Sequence, residues 1–240
     1  TGDGPDGPFA ISGTSEGGSL GVAIGEDGLA YDVASGPDTF QITGGDVPFP
    51  LTFAVEESVG RFAMPVVPSD EAQGFELISR MVGLTIDDAL WNMFDPSEQI
   101  IRDPATLVID LSGEAILSED IFDPAYAENA TGAPGTVEGV AINELRLELA
   151  GAKLTGTGDF EFANSGMMPQ PYGTVDLMLT GGNRLIDTAV NLGFLPEEQA
   201  MGARMMLGLF ARPGEGEDSL VSTIEVKEDG SIHANGQRIR

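Results

Sequence analysis

The sequence predicts an α+β fold in which a large, curved, mostly antiparallel β-sheet wraps two helices near the C-terminus. Two observations carry this prediction. Most of the chain alternates apolar and polar residues with the period of two that is typical of half-buried strands. Residues 183–211 show helical spacing instead, and the second half of that segment is apolar almost throughout. A sheet folded around such a helix pair would bury both.

Alternating segments separated by turn residues lie on both sides of a long central one. That central segment, residues 105–117, carries Leu107, Ile109 and Leu111 on one face. An extended segment of this length spans roughly 40 Å, so we expect the sheet to be large. The other predicted strands lie at residues 18–24, 29–34, 39–43, 51–56, 61–67, 75–82, 145–149, 154–162, 174–180, 220–227 and 231–234.

The helical segment near the C-terminus is predicted to contain two helices. Asn183 is expected to cap the first helix, and Gly193 to end it in the left-handed position that follows a last turn. Pro196 begins the second helix, with acidic residues in its first turn, where the helix dipole favours them. Residues 200–211 are apolar on nearly every side, so we expect this helix to be buried on most of them. It is too short to span a bilayer.

A short additional helix is expected near residues 85–94, with Thr85 as its N-cap and Trp91, the only tryptophan, inside it. Residues 1–17 are rich in Gly, Pro and Ser and are expected to form a mobile lead-in around one short strand at residues 9–12. The remainder, residues 18–240, is predicted to be a single β-rich domain. Its best candidate for an internal boundary is the polar segment 123–138.

The charge and the cysteine count exclude several classes of function. The net charge is −28, which repels phosphate backbones, so we expect no nucleic-acid partner. The absence of cysteine removes disulfides, thiolate metal sites and a cysteine nucleophile. Both features suit a periplasmic or otherwise extracytoplasmic bacterial protein. No transmembrane run or signal peptide is visible, and the loop-like start without Met predicts that the chain begins inside a longer protein.

One short motif suggests a hydrolase, but its surroundings do not support that function. Residues 13–17 match the Gly-x-Ser-x-Gly pattern of a nucleophile elbow, with Ser15 as the nucleophile. That motif needs a helix after it, whereas a second glycine and a predicted strand follow here. The only histidine, His233, lies in the last predicted hairpin. A serine hydrolase is therefore kept as a remote alternative, with no catalytic residue assigned.

A metal site in this chain would have only oxygen ligands. Asp3 and Asp6, or Asp87 and Asp88, could contact Ca²⁺, but no twelve-residue calcium loop with its terminal Glu is present. We therefore predict no metal and no cofactor.

The methionines of the second helix suggest an apolar ligand. Methionine adapts its shape, which suits core filling and also the binding of varied apolar groups. Core filling is the simpler interpretation; the sharper one is that sheet and helices enclose a groove for an acyl chain or an apolar peptide. The predicted groove residues are Leu177, Leu179, Met201, Met205, Met206, Leu209 and Phe210.

Several stretches resemble an uncharacterised family of alphaproteobacteria, domain of unknown function 2125. They are residues 86–96, 102–107, 149–152, 155–160, 195–206 and 230–238. The resemblance covers most of residues 18–240, as the C-terminal part of members that are longer and carry a secretion signal. It implies no catalytic residues. The long alternating strands, with the pattern Thr-Gly-x-Gly-x-Phe at residues 155–160, are also similar to those of envelope proteins that fold β-sheet into lipid-carrying grooves.

Taken together, these features predict a non-enzymatic periplasmic or envelope protein that binds an apolar ligand, such as a lipid, between curved sheet and helices. A second interpretation is an interaction module that assembles through exposed sheet edges, with another copy or an envelope protein as partner. The first interpretation depends on a cavity beside the methionine-rich helix; the second depends on an unpaired edge strand.

Overall fold

The computed structural model describes residues 2–4, 7–25, 28–44, 47–129, 132–163 and 169–240. Within them the fold is α+β, with sixteen strands in one sheet, all described pairings antiparallel, and four helices. The strands are β1 (Gly2–Gly4), β2 (Gly7–Ser15), β3 (Gly18–Gly25), β4 (Gly28–Ser35), β5 (Asp38–Gly44), β6 (Val47–Val55), β7 (Glu57–Met64), β8 (Gln73–Ile86), β9 (Ala105–Leu117), β10 (Gly135–Leu149), β11 (Ala152–Ala163), β12 (Gln170–Thr180), β13 (Arg212–Pro213), β14 (Ser219–Val226), β15 (Ile232–Ala234) and β16 (Gln237–Arg238). The helices are α1 (Asp88–Phe94), α2 (Pro124–Asn129), α3 (Gly182–Asn191) and α4 (Glu197–Phe210).

The sheet forks at β8. One edge of β8 pairs with β9, and the sheet continues from there through β10, β11, β12, β14, β15 and β16. The other edge pairs with β7 along most of its length and with β6 at its end. One branch of the fork is therefore β7, β4 and β3, and the other is β6, β5, β2 and β1.

The two branches consist of the same long segments of chain, each divided by a bend. β2 continues into β3, β4 into β5, and β6 into β7. The bends lie side by side: the N–H of Gly36 donates to the carbonyl of Gly17 at 3.2 Å, and the N–H of Glu56 donates to the carbonyl of Val82 at 3.0 Å. Gly83 continues this line into β8 with a φ of 72°. A Cβ at Gly83 would run into the side chain of Glu56, so both backbone conformation and space favour glycine there.

Each bend changes which residues of the strand face the same side. In β4 the apolar residues of one face are odd-numbered, such as Tyr31, whereas in β5 they are even-numbered, such as Phe40. In β8 the register slips between Met81 and Leu84, yet both face the same side because their partners on β9 are two residues apart. Apolar side chains therefore stay on one face of the sheet through the bend.

That face is apolar across the whole width of the sheet. Residues paired across antiparallel strands point to the same side, so the register defines rows of neighbours. One such row, from β8 to β14, consists of Met81, Leu107, Leu147, Leu154, Leu179 and Leu220. We call this side the apolar face.

The opposite side, the polar face, is covered by charged and hydroxyl side chains. Arg61 bonds to Glu76 at 2.9 Å and to Asp32 at 3.5 Å. Further along the sheet, Arg146 bonds to Glu144 at 2.9 Å and Lys153 to Glu148 at 2.8 Å. Exposed ion pairs of this kind add little stability, but they keep this face hydrated.

No helix or loop of the described residues covers much of the apolar face. The accessible surface is 14724 Å², whereas a compact monomer of 25.0 kDa exposes about 10,000 Å². Among the described residues only seven apolar side chains are buried, and most of them are small: Val55, Val66, Val108, Ala115, Leu117, Ala200 and Ala234. The helices thus cover only part of the sheet.

Several local predictions need correction. The short helix begins later than expected: Asp87, not Thr85, is the N-cap of α1, and its carboxylate accepts the N–H of Ala89 at 2.7 Å. Gly181, not Asn183, is the N-cap of α3. The expectations for Gly193 and Pro196 are confirmed, since Gly193 has a φ of 77° and Pro196 is the N-cap of α4.

Two segments contain more regular structure than predicted. The short strand predicted at residues 9–12 is part of the longer β2, which pairs with β5. The predicted boundary segment contains α2 and joins β9 to β10, two strands that pair directly with each other. Asp6 lies outside the described residues, as does the side chain of Asp3.

Candidate functional site: an apolar cavity between the sheet and α4

The strongest candidate site is a cavity between the apolar face and α4. Its volume is about 770 Å³. The sheet contributes Leu154, Leu177, Leu179, Leu220, Val221, Ser222, Ile224 and Ile232, the helical segment contributes Ile186, Ala203, Met206, Leu207, Phe210 and Ala211, and the C-terminus adds Ile239. No ionisable side chain is among these described lining residues. The cavity can therefore solvate a hydrocarbon group but not a charge.

The single polar side chain of the lining has its hydrogen bond satisfied. The Ser222 hydroxyl donates to the carbonyl of Phe210 at 2.5 Å, and the amide of Asn235 donates to the same carbonyl at 3.0 Å. These bonds satisfy a backbone carbonyl in the last turn of α4, which has no partner within the helix. They fix the end of α4 to the sheet and leave the cavity without a free polar group from Ser222.

A distant carboxylate fixes the start of α3. Asp218 lies just before β14, and its side chain accepts the N–H of Asn183 at 3.1 Å and the N–H of Arg184 at 2.9 Å. Partial burial tends to raise the pKa of Asp218, but these donors, the Asn183 amide and the Arg184 charge outweigh it, so the pKa lies below its ordinary value. The residue that supplies the cap thus comes from another part of the chain.

The two sides of α4 have different surroundings. Ala200 is fully buried, and Ala203, Met206, Leu207 and Phe210 line the cavity. Met201, Met205 and Leu209 are instead 65%, 71% and 54% exposed. The prediction that this helix is buried on most sides is therefore wrong. A single sheet layer and α3 can cover only part of a helix, and α4 has more apolar surface than these two neighbours cover.

The structure brings together four of the predicted groove residues: Leu177, Leu179, Met206 and Phe210. It does not bring Met201, Met205 or Leu209 to the cavity. Sequence reasoning missed the sheet residues of β11, β14 and β15, together with Ile186 and Ile239. Their alternation was visible in the sequence, but the pairing of β14 beside β12 was not.

An aromatic cluster joins α1 to the loop between α3 and α4. The ring centroids of Trp91 and Phe94 are 5.1 Å apart, and those of Phe94 and Phe194 are 6.3 Å apart. Arg102 lies over the Trp91 ring at 5.8 Å. Burial tends to raise the pKa of Asp95, but the N–H groups of Gln99 and Ile100 and the Arg102 charge lower it overall.

Ser15 and His233 are not placed as a hydrolase would need. Ser15 is the last residue of β2, near one end of the strand order, and His233 is in β15, near the other. The Ser15 hydroxyl bonds to the carbonyl of Gly17, and a strand follows rather than a helix.

Another serine does contact the histidine. The hydroxyl of Ser231 lies 3.3 Å from Nε2 of His233, and it also lowers the pKa of Asp229 through a hydrogen bond. Ser231 lies between His233 and Asp229, whereas in a catalytic triad the histidine lies between the serine and the acid. Ser231 is also buried. This arrangement is that of a turn and not of a catalytic triad.

A second cavity, of about 780 Å³, lies mainly on the polar face near Glu76, Asp159 and Glu161. Two of its acids have partners: Arg61 bonds to Glu76, and the Tyr172 hydroxyl donates to Glu161 at 2.5 Å, which raises the pKa of Tyr172. In the part of the chain that the structure describes, no three acidic or histidine side chains converge as a metal site. This cavity carries no defined chemistry.

Among the described helices, none combines the length and the hydropathy that a membrane crossing requires.

The comparison with known families agrees with the resemblance seen in the sequence. Residues 32–232 match the family described as an uncharacterized protein conserved in bacteria, DUF2125. The matched span reaches from β4 to β15 and includes most of the cavity lining. No curated protein and no solved structure matches the chain significantly. Because the match covers most of its length, the chain belongs to the DUF2125 family of uncharacterized bacterial proteins.

Proposed function

We propose that this protein is a non-enzymatic, extracytoplasmic binding protein for an apolar ligand, such as a lipid. The observation that carries the proposal is the cavity under α4, whose lining is apolar apart from one serine with a satisfied hydrogen bond. In this proposal the sheet curves around α3 and α4, and the ligand lies between them. The periplasm or envelope is the proposed location.

The size and chemistry of the cavity support a hydrocarbon ligand. Its volume of about 770 Å³ falls within the range of about 300–1,000 Å³ that is usual for small-molecule sites. Burial of each methylene contributes about 0.8 kcal/mol, so a ten-carbon stretch contributes about 8 kcal/mol before the costs of ordering. A charged headgroup would have to remain outside, because the lining offers no counter-ion.

The rest of the apolar face supports the same proposal. Leu147 and Leu77 are about 40% exposed in the middle of the sheet, on the side where the cavity lies. Large apolar patches on soluble surfaces mark interaction sites. A chain longer than the cavity could continue along this face.

Native mass spectrometry of protein purified from a bacterial host tests the proposal. We expect a bound mass that organic extraction removes and that corresponds to a lipid or fatty acid. Delipidated protein should then bind a fluorescent fatty acid. Protein that is always ligand-free and takes up no apolar probe would refute the proposed function.

A second candidate function, an interaction module, is favoured by a separate observation at β3. That strand provides an exposed edge with no charged residue, to which another strand can pair.

A further inference from the structure

The outer edge of β3 is unusually open. Among the described residues β3 pairs only with β4, and every residue of the strand is exposed. Leu20, Val22 and Ile24 are 67%, 60% and 64% exposed. Edge strands are normally protected by lysine, proline or a bulge, whereas β3 contains no charged residue, no proline and no break in its pairing.

The hydrogen-bonding groups of the three apolar residues point away from β4. A Cβ at Gly18 would lie 2.7 Å from the carbonyl oxygen of Ala34, so this carbonyl points towards β3, and its register partner Ser19 forms a hydrogen-bonded pair with Ala34. Bonded and non-bonded pairs alternate along an antiparallel ladder. Ser19, Gly21 and Ala23 therefore bond to β4. Alternate residues, which include Leu20 and Val22, offer their backbone groups to the open edge.

We propose that β3 pairs antiparallel with β3 of a second copy of this chain, about a two-fold axis through Gly21. In this register Leu20 lies opposite the second copy's Val22, and Gly18 lies opposite its Ile24. The outward groups of each copy then form about eight hydrogen bonds. Paired residues share a face, so the apolar face continues from one copy into the other.

The sequence of β3 matches itself in this register. Small residues, Ser19, Gly21 and Ala23, alternate with the large apolar ones, so the polar face has no bulky group at the axis. The residue opposite Gly21 on β4 is Asp32, whose carboxylate bonds to Arg61 at 3.5 Å. A closed two-fold contact of one patch with itself is the commonest arrangement of homodimers.

The overall charge predicts how the association depends on salt. Each copy carries −28, so the two copies repel each other over long distances. Salt screens this repulsion, with a Debye length of about 10 Å at 0.1 M. Because β3 has no charged residue, salt weakens no electrostatic attraction between the two paired strands. We therefore expect the dimer to become tighter as the salt concentration rises, which is the opposite of association through ion pairs.

Engineered cysteines test the register, because the chain has no cysteine of its own. Gly21 would face Gly21 of the second copy as a non-bonded pair with Cα atoms about 4.5 Å apart, within disulfide range. A Cβ at Gly21 meets its nearest atom, in Asp32, at 3.8 Å, so the substitution fits. Gly21→Cys should form a disulfide-linked dimer under mild oxidation. Ala23→Cys, the matched control, should not, because it lies opposite Ser19.

Analytical ultracentrifugation tests the pairing itself. The full chain should dimerise at about 1–100 µM, and Val22→Pro, which removes an outward N–H but no bond to β4, should be a monomer with an unchanged circular dichroism spectrum. If Val22→Pro misfolds, the comparison of Gly21→Cys with Ala23→Cys still tests the proposed pairing. Wild-type protein that is monomeric at high salt, Val22→Pro that dimerises normally, or equal cross-linking at residues 21 and 23 would overturn the proposal.

Discussion

Two glutamine substitutions on one helix distinguish the cavity from the outer surface of α4. Leu207 lines the cavity, whereas Leu209 is exposed and does not. Glutamine and leucine have similar helix propensities, so Leu207→Gln and Leu209→Gln should disturb α4 itself to a similar, small extent. The two variants have the same chemical change and differ only in whether the changed residue faces the cavity or the outer surface of α4.

The expected loss of affinity follows from the surroundings of each residue. A ligand in the cavity would complete the burial of Leu207, which is half-buried without it. Leu207→Gln loses about 1 kcal/mol of apolar contact and buries an amide without a partner, which costs about 1 kcal/mol or more. The sum, about 2 kcal/mol, corresponds to roughly 30-fold weaker binding. Leu209→Gln should change the affinity by less than about two-fold.

Displacement of a fluorescent fatty acid measures both affinities, with circular dichroism as the control for folding. A series of unlabelled fatty acids adds a second readout. Each added methylene should tighten binding about four-fold until the cavity is full. Equal losses in the two variants, or a larger loss in Leu209→Gln, would show that ligand binds on the outer side of α4 and would refute the assignment of the cavity.

Three further predictions concern stability. Asp218→Asn replaces one of the two carboxylate oxygens that accept the N–H groups of Asn183 and Arg184 with an NH2 group and removes the negative charge at the start of α3, so chemical denaturation should show a loss of about 1 kcal/mol; an unchanged midpoint would contradict the role of this cap. The pKa values of Asp218 and Asp95 lie below the ordinary 3.8 in the folded protein, so their stabilisation is complete above that pH and is lost as the pH falls through the folded-state pKa. Acid unfolding curves should therefore be shallower for Asp218→Asn than for the wild type, and parallel curves would count against this linkage. Gly83→Ala should destabilise the fold by about 1–3 kcal/mol, because φ is 72° and a Cβ would meet the Glu56 side chain; Gly74→Ala, where a Cβ meets its nearest atom at 3.9 Å, is the control.

Local sequence signals predicted elements well where the chain itself determines them. The alternation from 105 to 117 corresponds to β9, and the acidic first turn after Pro196 marks the start of α4. These features depend on neighbours in sequence, so one chain suffices to predict them. The same holds for the left-handed Gly193 after α3.

Features that depend on distant partners could not be predicted in this way. Asp218 accepts the N–H of Asn183, which lies 35 residues earlier in the first turn of α3, and nothing near Asn183 in the sequence reveals this partner. The exposure of Met205 depends on how many layers surround α4, which hydropathy does not specify. The contributions of Leu220 and Ile239 to the cavity require the strand order beyond β12.

The aligned bends restrict how this chain can change length during evolution. Each bent segment keeps its apolar side chains on one side because the bend resets the alternation by one residue. We call the part of a bent segment between its bend and the end of the strand an arm. Insertion or deletion of one residue within an arm would reverse its alternation and place its apolar side chains on the polar face. Changes of two residues would only lengthen or shorten the arm. Homologues should therefore differ in arm length by even numbers, a parity rule that an alignment of the family can check.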